Sequence, residues 1–182
     1  MGKRVALALL LLVSLCTACR GTLQVRVLGT ATPRSESALG SLAYVLAGDL
    51  WVRSLPDGEP VRLTSDGGNS SPRLSHSGRW VAFLTGQALW LARADASAPP
   101  VVVAPEGCPA FEWSPVADRL GYVSGSGGLL VRDVTTGDDL VLAGEDEANL
   151  TVERFAWDPS GRWLACQAVE AASSEAGPSR QV

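Results

Sequence analysis

The side chains that could do chemistry are few and widely separated in this sequence. His76 is the only histidine among 182 residues, so it is the only histidine that could activate a serine nucleophile. No G-x-S-x-G motif, which would hold such a serine on a sharp turn, accompanies it. We expect His76 to be an exposed turn residue and the chain to have no enzymatic activity.

The four cysteines do not suggest a metal centre. One histidine and four scattered cysteines provide no ligand pair at the spacing of a zinc site, and we expect no cofactor. Cys16 and Cys19 belong to the N-terminal segment, which leaves Cys108 and Cys166. An exported protein could join these two as a disulfide. Because Cys166 falls in a strand predicted to be buried and Cys108 in a loop, we expect two free thiols.

Two further segments could bind a charged ligand. Ser124 to Gly128 (SGSGG) is rich in glycine, but it lies between two short strands with no helix N-terminus to hold a phosphate. We expect a hairpin loop there. Glu145 to Glu147 (EDE) lacks the alternating ligand spacing of a calcium loop, so we expect a solvated connection.

Composition and charge exclude one class of partner. With 46% apolar and 19% charged residues the chain is typical of globular proteins. If the N-terminal segment is removed, Lys3 and Arg4 are lost, and 13 basic residues remain against 19 acidic ones, a net charge of −6. Because nucleic-acid binding requires a basic surface, we expect no nucleic-acid partner.

The N-terminal residues have the three parts of a secretory signal. Met1 to Arg4 is basic, Val5 to Leu15 is almost purely aliphatic, and Cys16 to Cys19 is small and weakly polar. A membrane-spanning helix needs about 20 apolar residues, and Arg20 ends this run too early. The pattern predicts an exported protein with a cleaved signal peptide at residues 1–18.

The end of this signal resembles the lipobox of bacterial lipoproteins, in which a small residue precedes a lipidated cysteine. Ala18 before Cys19 fits the motif, whereas Cys16 stands where the family usually has leucine. The resemblance implies lipidation at Cys19 and a lipid anchor at the cell membrane or envelope, because acyl chains hold a domain at a bilayer surface. Ordinary cleavage after Ala18 is the alternative.

The rest of the chain repeats with a period of about 40 residues. Four repeat positions share this period, with spacings between 39 and 44 residues. They are Leu74, Trp113 and Trp157; Trp80, Leu120 and Trp163; Trp51, Trp90 and Leu130; and Leu63, Val103 and Leu142. All six tryptophans fall in these positions, so we expect them in the core rather than on a carbohydrate-binding surface.

Each repeat is predicted to form four short strands. In the second unit these are Pro72 to Ser75, Trp80 to Leu84, Ala88 to Arg93 and Pro100 to Ala104, which are apolar or alternating. Turn-forming residues separate them. Four-stranded units of this length are typical of β-propeller blades.

The runs LSHSGRWVAF, DPSGRW and AYVLAGDLWV resemble the WD-repeat-like propeller repeats of TolB and of the N-terminal propellers of prolyl-oligopeptidase-type peptidases. The resemblance extends from Ser41 to Val169 and implies a fold, not a site. His76 and Ser77 stand where the family has Pro and Asp. In the third unit Val116 to Asp118 replaces the turn with one extra residue, so we expect a looser turn there.

The predicted propeller does not close. Closure takes about four to eight blades, whereas we count two complete units, one unit without its first strand and one that ends after its second. We expect residues 41–169 to be an incomplete, all-β propeller, preceded by a tether at 19–40 and followed by a disordered tail at 170–182. Leu23 to Leu28 could instead be a piece of closing strand. A truncated copy of a longer propeller is favoured over cover by another chain.

Two functions remain open. The first is a non-enzymatic lipoprotein that uses a TolB-like propeller to bind a protein or other ligand at the cell envelope. The second is the N-terminal propeller of an exported prolyl-oligopeptidase-type peptidase that lacks its catalytic domain.

Overall fold

The computed structural model describes residues 40–144 and 150–170, which form thirteen β-strands and no helix. The strands are β1 (Gly40–Leu46), β2 (Asp49–Leu55), β3 (Val61–Arg62), β4 (Asn69–Leu74), β5 (Trp80–Thr85), β6 (Ala88–Arg93), β7 (Val101–Ala104), β8 (Phe111–Trp113), β9 (Arg119–Val123), β10 (Leu129–Asp133), β11 (Asp139–Ala143), β12 (Leu150–Trp157) and β13 (Leu164–Glu170).

The strands build four consecutive antiparallel sheets, named here A to D. Sheet A contains β1–β3, sheet B β4–β7, sheet C β8–β11 and sheet D β12–β13, and neighbours in each sheet are also neighbours in sequence. Among the described residues, sheets B and C have all four strands of the unit, sheet A has no first strand, and sheet D has only the first two. The predicted all-β, partial propeller is confirmed.

Sheet B shows why the sequence forms these meanders. Short turns at Ser77-Gly78 and Gly86-Gln87 connect its first three strands, and Asp95 to Pro99 precedes the fourth, as predicted. Gly78 and Gly86 have φ values of 71° and 63°, which favour glycine. Three of the four predicted strands match within one residue at each end. The exception, β4, begins earlier, at Asn69, because a bulge after Ser70 extends it.

The core lies between successive sheets. Val81 and Phe83 of sheet B pack on Leu50 of sheet A. Because side chains alternate along a strand, the intervening Ala82 faces the other way and packs with sheet C. Each complete sheet therefore buries both of its faces.

The first strand of each later sheet lies over the preceding sheet. The ring of Phe155 and the indole of Trp157 cover Gly121, where an added Cβ would lie 2.7 Å from Phe155. The Trp157 indole donates a hydrogen bond to the carbonyl oxygen of Glu112 at 3.2 Å. Trp113 makes the equivalent bond to the Arg73 carbonyl at 2.8 Å. The tryptophan at this repeat position thus joins sheet B to sheet C and, in the next repeat, sheet C to sheet D.

A second contact recurs where the chain enters each sheet. The backbone amides of Asn69, Cys108 and Val152 donate to carbonyl oxygens in the hairpin of the preceding sheet, at 2.8–2.9 Å. The acceptors are Gly48, Gln87 and Gly127. The regular spacing of the repeat is therefore matched by regular contacts between sheets.

The turn of the third unit has the same length as the other two, contrary to the prediction of an extra residue. The amide of Ser114 donates to the carbonyl of Arg119, five residues on, at 2.8 Å; Ser75 and Asp158 make the same five-residue closure in the other units. No extra residue is present. The residue equivalent to Leu120 is therefore Val81, not Trp80, and both are fully buried.

The prediction that all six tryptophans are core residues is also wrong. Only Trp113 is buried, while Trp163 is 70% exposed. Trp163 is equivalent to Trp80 and Arg119, at the start of the second strand. The Arg93 side chain, on the neighbouring strand β6, lies over Trp80, with its guanidinium carbon 4.4 Å from the ring centroid. No described strand lies beside Trp163 to provide a similar contact.

Several predictions fall outside the described residues. They concern the signal peptide, Cys19, the tether, the acidic run Glu145 to Glu147 and the C-terminal tail.

Candidate functional site

A pocket of about 420 Å³ lies where the first strands of sheets B, C and D come together. Its walls come from β4, β5, the segment before and including β8, and β12. The residues are Ser71, Arg73, Leu84, Cys108, Pro109, Ala110, Phe111, Glu112 and Phe155. Its volume falls within the range of about 300–1,000 Å³ that small-molecule sites occupy. We call it the inner pocket.

Arg73 is the principal charged group of the inner pocket. Its guanidinium carbon lies 5.5 Å from the centroid of the Phe111 ring, an arrangement that attracts the cation to the ring face. No carboxylate of the described residues forms an ion pair with it. Glu112 adds a negative charge to the lining, while Leu84 and Phe155 add apolar surface. The pocket can thus hold a ligand with both polar and apolar parts.

Two backbone carbonyls beside the inner pocket already accept hydrogen bonds. The carbonyls of Arg73 and Glu112 accept the indole hydrogen bonds from the next sheet. An incoming peptide that paired as an added strand would compete with these indoles for the two carbonyls. The side chains of the inner pocket therefore offer the more accessible means of recognition.

Cys108 also lines the pocket but is not poised as a nucleophile. Its thiol is buried and donates to the carbonyl of Ala110 at 3.2 Å. Burial raises the pKa of the Cys108 thiol to about 11, so the thiol is protonated near neutral pH. Because the thiolate is the reactive form, this geometry opposes nucleophilic catalysis.

His76 lies in an exposed turn, as predicted. The neighbouring Ser77 hydroxyl donates to a carboxylate oxygen of Asp118 at 2.6 Å, and its amide donates to the other oxygen at 3.0 Å. Arg79 pairs with the same carboxylate at 3.5 Å. Since the serine proton is directed to a carboxylate rather than to the imidazole, this is not a serine–histidine pair.

Asp118 instead links the turns of sheets B and C. Burial raises its pKa, but the hydrogen bonds from the side chain and backbone of Ser77 outweigh burial, and the pKa is lowered. The carboxylate stays ionised at neutral pH and acts as an acceptor for the neighbouring turn. Sequence reasoning identified this segment only as an irregular turn.

The remaining candidates have structural roles. Cys108 and Cys166 are free thiols, as predicted, but Cys166 is exposed rather than buried. Ser124 to Gly128 is the expected hairpin loop, closed by a 2.8 Å bond from the Ser124 amide to the Gly128 carbonyl. A Cβ on Gly125 would lie 2.5 Å from the carbonyl oxygen of Glu106, so close packing accounts for a glycine there.

A metal site does not emerge from residues 40–144 and 150–170, where no three His, Cys, Asp or Glu residues are grouped to hold an ion. Within the same part of the chain, no helix is long and apolar enough to cross a membrane.

Sequence reasoning missed the inner pocket. Arg73 and Phe111 lie in different repeats, at positions that are not equivalent, so the period gives no sign of their contact. The one available signal is the charge of Arg73 in a strand that is otherwise small or apolar.

The comparisons with known proteins do not assign a family. No protein-family model matches the chain, and no curated protein matches it. Two solved structures are similar over 72% of the chain. One is a putative TolB from Agrobacterium tumefaciens, with 21% identity and a TM-score of 0.46. The other is an auxiliary nutrient binding protein from Bacteroides thetaiotaomicron, with 14% identity and a TM-score of 0.45. The matches span 55% and 33% of those chains.

Proposed function

We propose that this protein is a non-enzymatic binding protein of the cell envelope whose inner pocket takes part in ligand or protein recognition. The observation that carries the proposal is Arg73, which is held over Phe111 in that pocket and forms no ion pair with the described residues. The Cys108 thiol in the pocket is protonated, and the Ser77 hydroxyl, which lies in the turn beside His76, is bonded to Asp118. A binding role requires only the charged, polar and apolar side chains that line the pocket.

We further propose that the protein is exported and held at the membrane by lipid on Cys19. The support is the order of basic, aliphatic and small residues before Cys19 and the ability of acyl chains to anchor a domain that lacks a spanning helix. Mass spectrometry of the mature N-terminus tests this. A diacylated Cys19 is expected, whereas an unmodified Cys19 with a free amine would show ordinary cleavage.

The proposal treats sheets A to D as part of a larger closed propeller, with the remaining blades supplied by a longer form of this gene product or by another chain. The support is the apolar surface left exposed on the outer sheets, including Leu42 and Val169. In either case the inner pocket lies where the first strands of sheets B, C and D come together.

Site-specific photo-crosslinking in the envelope tests the binding role. A photoreactive residue replaces exposed Pro109 at the rim of the inner pocket, and a matched probe replaces exposed Leu140 on sheet C. We expect a discrete adduct from the Pro109 probe that is reduced at least about tenfold by Arg73→Ala, and none from the Leu140 probe. Equal labelling at both positions would contradict recognition at the pocket. Hydrolytic activity of the purified chain would contradict a non-enzymatic role.

A further inference from the structure

We infer that sheet A of one copy packs on sheet D of a second copy, so that two copies of this chain build one ring of eight sheets. The faces concerned are named the A face and the D face. The A face carries Leu42, Tyr44 and Trp51, and the D face carries Ala165 and Val169 on the side of sheet D that points away from sheet C.

The register of sheet A defines the A face. Ala43 and Val45 pack toward sheet B together with Leu50. Leu42 and Tyr44 alternate with them along β1, and Tyr44 pairs with Trp51 across the sheet. These side chains therefore point away from sheet B. Leu42 is 48% exposed, while Tyr44 and Trp51 are half-buried and Arg62 lies over the Trp51 ring. The A face is thus an apolar surface that the described residues cover only in part.

The A face repeats a surface that is buried elsewhere in the same molecule. Leu42 and Tyr44 lie 39 residues before Val81 and Phe83, and the pairing of Tyr44 with Trp51 corresponds to that of Phe83 with Trp90. Val81 and Phe83 are 0% and 1% exposed because sheet A covers them. In sheet C the equivalent pair, Leu120 and Tyr122, is 0% and 3% exposed. The A face thus has the side chains of a sheet-to-sheet interface.

The D face repeats the other half of that interface. Ala165 is equivalent to Ala82 and Gly121, the small residues on which the following sheet packs. In sheet D, Phe155 pairs with Cys166 and faces sheet C, so Ala165 points to the opposite side. Ala165 is exposed and Val169 is 42% exposed. A small residue beside apolar surface is the arrangement that receives the next sheet in B and C.

A second copy is the occupant that these observations favour. The contact continues the interface already present three times between sheets, A with B, B with C and C with D, and needs no new surface. It is heterologous, since one face meets a different face, and such contacts either close a ring or propagate into a fibre. Two copies provide eight sheets, which is within the four to eight blades of closed propellers.

Sedimentation of the purified full chain tests the inference, with charges placed on each face. Leu42→Glu alters the A face and Ala165→Glu the D face; Val169→Lys is a second D-face variant. Leu140→Glu is the matched control, because Leu140 is 62% exposed on sheet C and lies on neither face. A charge buried in the contact should weaken association at least about 100-fold. Far-UV circular dichroism verifies that each variant keeps its sheet content.

The expected result is a dimer for the unaltered chain and for Leu140→Glu, and monomers for the face variants. Mixing Leu42→Glu with Ala165→Glu should restore some pairing, because each variant retains one intact face. An unaltered chain that is monomeric at about 100 μM would overturn the inference. So would a series of species larger than dimers, which indicates an open array, or face variants that each dimerise alone, which indicates a contact between like faces.

Discussion

Sheets B and D contain equivalent residues in very different surroundings. Phe83 in sheet B is 1% exposed, whereas Cys166, at the same repeat position in sheet D, is exposed. Trp80 is half-buried and its equivalent, Trp163, is 70% exposed. In both sheets the second strand pairs antiparallel with the first, so the difference lies in the strands and sheets beyond that pair.

The comparison shows that burial in this molecule depends on the array rather than on the repeat. Sheet B has four strands of its own and a neighbouring sheet on each side. Sheet D has two strands and packs on sheet C through Phe155 and Trp157. A residue type that fits the core of one repeat therefore lies at the surface of another.

The largest expected contrast is between truncations at one repeat position in these two sheets. Phe83→Ala should lower the free energy of unfolding by about 3–5 kcal/mol, because it leaves a cavity in a close-packed core. Cys166→Ala should change it by less than about 0.5 kcal/mol, as expected for exposed sites. Urea unfolding of both variants measures the difference. Similar losses at the two positions would show that sheet D is covered in solution.

The contact between sheets C and D can be disrupted at Gly121. An added Cβ lies 2.7 Å from the Phe155 ring, so Gly121→Ala must displace that ring and should cost about 1–3 kcal/mol. Gly68→Ala is the matched control, since its Cβ would lie 3.6 Å from Thr85, an ordinary contact. Hydrogen exchange should report faster opening of β12 and β13 in Gly121→Ala alone. Equal exchange in both variants would refute the role assigned to Phe155.

Most of the architecture could be predicted from the sequence. All four units, and the hairpin loop at Ser124 to Gly128, could be predicted from three patterns. These are the period of about 40 residues, the turn residues and the alternation of apolar residues. These signals are local, and each strand pairs with its neighbour in sequence. The sequence therefore contained the information that sets sheet order.

The errors concern contacts between repeats. Trp163 is predicted to be a core residue because its repeat position recurs in the other units. A residue at that position is buried only where a neighbouring strand covers it, and no described strand lies beside Trp163. The prediction of an extra residue near Val116 treats Leu120 as equivalent to Trp80, whereas Leu120 is equivalent to Val81. The contact of Arg73 with Phe111 joins nonequivalent positions of two sheets, so no repeat pattern could reveal it.

Indole hydrogen bonds give a smaller test of the contacts between sheets. Trp113→Phe removes the bond to the Arg73 carbonyl and should cost about 1 kcal/mol beyond its lost area. Trp90 is the matched control, because its buried indole N–H has no hydrogen-bond partner among the described residues. Trp90→Phe removes an unsatisfied donor and should be close to neutral. Thermal unfolding measures the loss of stability in each variant. An equal loss in both would contradict the hydrogen bond assigned between the Trp113 indole and the Arg73 carbonyl.

The smallest expected effect is on the pH dependence of sheet D. Hydrogen bonds from the Ser160 side chain and the Trp163 amide lower the pKa of Asp158 from 3.8 to about 2. A carboxyl with a lowered folded-state pKa stabilises the fold fully above its unfolded pKa, and the contribution is lost as pH falls through the folded value. Asp158→Asn should therefore flatten the stability curve between pH 4 and 2, measured by urea unfolding. Because Trp163 is exposed in the same turn, its fluorescence should report the change locally; an unaltered slope would show that these hydrogen bonds do not persist in solution.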